Sequence, residues 1–131
     1  MDNNELISEA IKVRPHSHSP YSKFAVGAAL LTKSGRVFTG CNVENISFRL
    51  TMCAEQGAVA AAIAQGERDF TAIAVVADSK KPIVPCGGCR QLLAEFNPEI
   101  KVIMSTLDGA QEIVLLSQLL PRPAQGILES K

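Results

Sequence analysis

The stretch Thr71-Ala72-Ile73-Ala74-Val75-Val76-Ala77 decides the fold class. It is apolar after its first residue and of strand length. A strand with one wet face alternates apolar and polar residues. One that is apolar throughout reads as covered on both faces, which calls for helices above and below its sheet. Such helices flank it in the chain. Upstream, Met52 to Gln65 reads as a helix crowded with alanine and closed by Gly66. Its small side chains run nearly all round, so it is expected to be buried and closely packed. Downstream of Pro85, a second buried helix is expected from Gly87 to Phe96, with Leu92, Leu93 and Phe96 facing inward.

Working outward, Asp2 or Asn3 can cap a first helix that buries Leu6, Ile7, Ala10 and Ile11 on one face. Arg14 to Pro20 holds two prolines and suits neither helix nor ladder. Phe24 to Leu31 and Val37 to Val43 read as a hairpin around Lys33-Ser34-Gly35-Arg36. Lys101 to Ser105 and Gln111 to Leu115 supply further strands, and Ser117 to Leu120 a short helical turn. The order α-β-β-α-β-α-β-β predicts an α/β protein, a three-layer sandwich around one sheet. No repeat or linker divides residues 1–131, which read as a single domain with 121–131 as an extended tail.

Composition narrows the function. The 131 residues are 47% hydrophobic and 20% charged, as expected of a globular chain. Thirteen basic residues cancel thirteen acidic ones, and no Lys or Arg cluster exceeds a pair. A nucleic-acid-binding surface would need a basic stripe, so none is expected. The apolar runs are far too short for a membrane span, and the polar Met1-Asp2-Asn3-Asn4-Glu5 is unlike a signal peptide. These features point to the cytoplasm. In that reducing compartment the four cysteines are expected to be metal ligands or catalytic groups rather than disulfides.

Two short motifs carry the chemistry: Cys53-Ala54-Glu55 and Pro85-Cys86-Gly87-Gly88-Cys89. Each lies at an expected helix start, where unpaired N–H groups and partial positive charge favour thiolate over thiol. Cys53, Cys86 and Cys89 would give three protein ligands and one open position, the layout of a catalytic rather than a structural zinc site. Glu55 sits two residues after a ligand, placed to take a proton from a metal-activated water. The pattern C-x-E followed by P-C-x-x-C is a form of the zinc deaminase signature.

The resemblance extends beyond the motif. Pro20 to Leu30, Gly40 to Asn45, Thr51 to Glu55 and Pro85 to Gln91 resemble the signature stretches of the small, homotetrameric cytidine deaminases, and the likeness reaches about Pro121. It implies an α/β/α sandwich around a mixed five-stranded sheet, one Zn²⁺ per chain and hydrolysis of cytidine and deoxycytidine to uridine and deoxyuridine, with release of ammonia. It also implies that Phe24 stacks on the base, that Asn42 and Glu44 bind the ribose, and that the main chain at Ala54 and the Glu55 carboxylate grip the pyrimidine edge. Glu55 would be the catalytic proton carrier. A homotetramer whose subunits share active sites is expected as well.

The chain departs from that family at four positions near the substrate or metal. Gln56 stands where Arg is usual, Phe48 where Tyr is, Arg49 where Gly or Pro is common, and Ala124 where a Phe would be. A deaminase of a modified cytosine nucleoside, of the blasticidin S type, is the alternative these changes raise. Blander readings stand beside these. Cys86 and Cys89 could be a redox pair, which would leave Cys53 and Glu55 without a task. Cys41 could be a fourth ligand that closes the site, although its strand position suits a packed core cysteine. His16 and His18 read as solvated loop residues, and Arg90 and Gln91 as residues that cap or line a helix. A zinc-stapled module without catalysis is the remaining alternative, and Glu55 argues against it.

Overall fold

A computed structural model of the chain describes residues 1–125 and 128. Five strands, β1 (Val26–Thr32), β2 (Val37–Cys41), β3 (Phe70–Ala77), β4 (Lys101–Thr106) and β5 (Gln111–Leu115), form one sheet in the order β2-β1-β3-β4-β5. Among these five strands only β3 and β4 pair in parallel. A parallel pair needs a crossover, and α3 (Gly87–Phe96) supplies it. The tight turn between β1 and β2 uses Gly35 at φ +91°, where other residues would be strained.

Side chains alternate between two cores, as the two-residue period of a strand requires. Ala29, Ala72, Ala74, Val76 and Ile103 face α1 (Asn3–Val13), which buries Leu6, Ile7 and Ala10 against them. Ala28, Leu30, Ile73, Val75, Val102 and Met104 face α2 (Ala54–Ala64) and α3 on the other side. β3 is buried along its length except at Thr71. The structure is thus the three-layer α/β/α sandwich that the run from Thr71 to Ala77 calls for. A short α4 (Leu116–Leu119) follows β5.

Several expected boundaries move, each for a local reason. The Asp2 side chain caps α1 by accepting from the Glu5 N–H, and Ile11 lies at the rim of its buried stripe, 38% exposed. β1 begins at Val26 rather than Phe24, because side chains of Ser22 and Asn42 take the Phe24 backbone groups. α2 begins at Ala54 rather than Met52, since Met52 bridges Val43 and Cys53 is the extended N-cap. Residues 121–125 form no helix or strand, and the rest of the expected tail, apart from 128, lies outside the described residues.

One close approach sets the height of α2 over the sheet. A Cβ added to Gly40 of β2 would lie 2.3 Å from the Ala54 carbonyl oxygen and 2.5 Å from the Ala58 nitrogen, both backbone atoms. The first turn of α2 therefore rests directly on a glycine backbone. Gly40→Ala is expected to destabilise the fold by about 3 kcal/mol and to displace that turn, read as a lower denaturation midpoint with reduced zinc retention. A Gly40→Ala protein with the parent's midpoint would show that the helix can lift without cost.

Candidate active site

Two helix starts converge at one place. Cys53 is the N-cap of α2, and Cys86 that of α3, where its Sγ accepts from the Cys89 N–H at 3.5 Å. The Sγ atoms of Cys53, Cys86 and Cys89 all lie within 4.8 Å of one another, with Cys53 and Cys86 3.8 Å apart. Tetrahedral bonds of ~2.3 Å to one zinc hold sulfurs ~3.8 Å apart, so the donor set fits that ion. Among the described residues no other three His, Cys, Asp or Glu side chains gather this closely. Cys41, half-buried on β2, is outside the group, as are His16 and His18.

The sulfurs and the nearby carboxylate divide charge unequally. The Cys89 thiol, and then that of Cys86, hydrogen-bond to Cys53 and lower its pKa to about 6 against the effect of burial. Cys89 moves the other way, because Cys53 holds its proton and burial opposes its ionisation. Glu55, in the first turn of α2, is only 4% exposed. Burial, reinforced by the Cys53 thiolate, pushes its carboxyl up to about 7. A carboxyl poised there can both take and return a proton near neutral pH. Ala54 precedes it, buried, and its N–H is one of those that a helix start leaves without an intrahelical partner.

The expected sugar-binding residues have structural duties as well. The Asn42 Oδ1 accepts from the Val26 N–H at 2.9 Å and from the Ser17 hydroxyl, while Nδ2 donates to the Phe24 carbonyl at 2.9 Å. One Nδ2 N–H remains for another partner. Glu44 Oε1 accepts from the N–H groups of Tyr21 and Ser22 at 3.0 and 3.1 Å, and Oε2 from the Ser22 hydroxyl. The Ser22 hydroxyl holds the Glu44 carboxyl below its ordinary pKa, with the two backbone donors adding to it. Between these clamps Lys23 sits at φ +60°, a left-handed conformation uncommon for a side-chain-bearing residue, next to the partly exposed Phe24. Asn42 and Glu44 thus hold the Ser17–Phe24 loop in shape.

The strand segment that carries them also reaches the cysteines. Val43 and Met52 exchange backbone hydrogen bonds of 2.9 and 2.8 Å, and the Glu44 N–H donates to His18. The segment from Asn42 to Glu44 is thereby laced to the residue before Cys53. A cleft of about 340 Å³ lies here, lined by Tyr21, Ser22, Glu44, Phe48 and Thr51. The Phe48 ring meets that of Tyr21 edge-on at 5.8 Å.

Three side chains prove more engaged than their sequence positions suggest. Gln56 Oε1 accepts from the Cys53 N–H at 2.7 Å, closing a capping box at the start of α2. Its spacing from the N-cap is the signal that could have disclosed this. An Arg there has no acceptor to offer. Gln91 pairs its amide with both backbone groups of Ala124, at 3.1 and 2.8 Å, and Arg90 donates to two carbonyls.

Comparison with known proteins converges on one group. Residues 1–106 match the model of the cytidine and deoxycytidylate deaminase zinc-binding region. The chain is 51% identical over 122 residues to a cytidine deaminase of Halalkalibacterium halodurans, covering 92% of each. It is 31% identical over 108 residues to a blasticidin-S deaminase of Bacillus cereus, covering 76% of each. The crystal structure of a cytidine deaminase from Burkholderia pseudomallei superposes with a TM-score of 0.92 at 43% identity, over 95% of this chain and 100% of that one.

Proposed function

The chain belongs to the cytidine and deoxycytidylate deaminase family, and from that premise we propose that it hydrolyses cytidine and deoxycytidine to uridine and deoxyuridine, releasing ammonia. Zinc, one ion per chain, is its cofactor. The observation that carries this reading is Glu55, a buried carboxyl in the first turn of α2, two residues after a sulfur of the three-cysteine cluster. A purely structural zinc site has no use for such a group, and burying a carboxyl carries a desolvation cost that a site without proton transfer would not need to bear.

Cys53, Cys86 and Cys89 would hold the ion. Zinc held there would supply Lewis acidity, bringing the pKa of a water towards ~7. Glu55 takes a proton from the attacking water and delivers it to N3 of the pyrimidine as the oxygen joins C4. It then carries the second proton to the exocyclic amine. The C4–N bond breaks, ammonia departs, and the C4 carbonyl of uracil remains. The Ala54 main chain and the Glu55 carboxylate hold the pyrimidine edge, and Phe24 lies against the base. Asn42 offers its remaining N–H to a sugar hydroxyl, and Glu44 Oε2 has an acceptor position left for another.

The higher identity to the cytidine deaminase than to the blasticidin-S deaminase favours the unmodified nucleosides. Neutral overall charge suits a substrate without phosphate and gives no support to nucleic-acid binding. Among the described residues no helix is long and apolar enough to cross a membrane. Three reactive thiols kept free for metal suit the reducing cytoplasm. The zinc-loaded protein, given cytidine, deoxycytidine and blasticidin S in parallel, is expected to release ammonia from the first two. Turnover of blasticidin S alone would shift the substrate class. No ammonia from any of them, at full zinc content, would leave a zinc-stapled binding module.

A homotetramer with shared sites is part of the same proposal. Ile46, Phe48 and Leu50 are 80%, 73% and 64% exposed, beside a shallow groove of about 780 Å³ that includes Met52, Ile63 and Phe96. A run of bare apolar side chains of this kind marks an interaction surface. Sedimentation equilibrium is expected to give four chains per particle, and a monomer at assay concentration would remove the sharing of sites.

A further inference from the structure

Cys86 reaches the metal centre at the end of an irregular loop that follows β3, and little holds that loop. Among the described residues, no backbone group of residues 79–85 enters a turn or cross-loop backbone hydrogen bond. Ser79 bonds only within the loop, to the Lys81 carbonyl. Ile83 packs on the core and Pro85 is buried. Pro85 has no N–H, and its carbonyl, in a buried residue, needs a donor.

Arg90 is that donor. From the first turn of α3 its side chain folds back, and Nε donates to the Pro85 carbonyl at 2.8 Å. Nη1 of the same guanidinium donates to the Leu119 carbonyl at 3.0 Å, at the end of α4, where helix carbonyls lack intrahelical partners. One rigid fork thus ties Pro85, the residue before Cys86, to Leu119, 34 residues further on. Gln91 holds the chain beyond it through Ala124, without touching the Pro85 turn.

The geometry points to Arg90 as a positioning residue of the metal centre: by bridging Pro85 and α4 it makes the C-terminal segment part of the frame that keeps Cys86 in register with Cys53 and Cys89. A guanidinium suits the task because its planar fork serves two acceptors at once; a lysine ammonium on its flexible stem would hold one of them less firmly. This inference rests on the zinc reading of the three cysteines.

The test is the rate at which the zinc-loaded full chain gives up its metal to a chromogenic chelator, at a temperature well below each variant's unfolding midpoint. Arg90→Gln is expected to release zinc about tenfold faster, the lower end of the effect of removing groups that orient metal ligands. Arg90→Lys should fall between it and the parent. Gln91→Ala, which frees the tail but leaves both Arg90 bonds, should stay within about twofold of the parent. Release from Arg90→Gln at the parent's rate would overturn the inference, as would equal acceleration in Gln91→Ala. If Arg90→Gln does not fold, Arg90→Lys decides alone: faster release supports the role and the parent's rate refutes it. A parent protein that binds no zinc would instead overturn the zinc reading itself.

Discussion

Glu55→Gln is expected to keep its zinc and its fold while losing turnover of cytidine by roughly 10²–10⁴-fold, the range associated with a positioned proton carrier. The substitution preserves shape and removes only the capacity to take and return a proton. Because Glu55 is buried in the first turn of α2, a neutral amide of the same size is tolerated there without a charge to desolvate. The sulfurs come from Cys53, Cys86 and Cys89, so the metal should remain. The measurement is kcat alongside zinc per chain and the unfolding midpoint on the same sample. Activity retained in a zinc-replete Glu55→Gln protein would take this residue out of the mechanism.

Removal of a ligand should have a different signature. Cys89→Ala is expected to lose both zinc and activity, whereas Cys41→Ser keeps both. Zinc binding worth ~10–16 kcal/mol in structural sites, divided among four ligands, comes to ~3 kcal/mol per sulfur, or roughly 10²-fold in affinity. Cys89 is fully buried, and its Sγ belongs to the cluster within 4.8 Å, while that of Cys41 does not. Metal content after dialysis against a weak chelator separates the two. Stoichiometric zinc in Cys89→Ala, or its loss in Cys41→Ser, would redraw the ligand set.

Much of the architecture is legible along the chain because it depends on periodicity. The unbroken apolar run from Thr71 to Ala77 demands cover on both faces, and the alternation of Ala28, Ala29 and Leu30 between two cores follows from the strand's pleat. The cysteine motifs are legible for a similar reason. Cys86 and Cys89, three apart at a helix start, face the same way whatever surrounds them. Ile11 shows the limit of such reading: it fits the helical stripe, yet the folded chain leaves it at the rim of the buried face.

What depends on spacing and polarity was therefore determined by the sequence itself: the three-layer fold, the helix-start cysteines and the carboxylate beside them. What depends on which distant atoms meet was decided only by the tertiary structure. No local pattern announces that Gly40 must be bare because α2 rests on it, or that Glu44 has a serine hydroxyl and two N–H groups to satisfy. Nor does any announce that Arg90 serves Pro85 and Leu119 at once. Hydrogen bonds and close contacts between remote segments are a property of packing in three dimensions. Their partners are chosen by the folded geometry, and the chain carries no periodic signal of them.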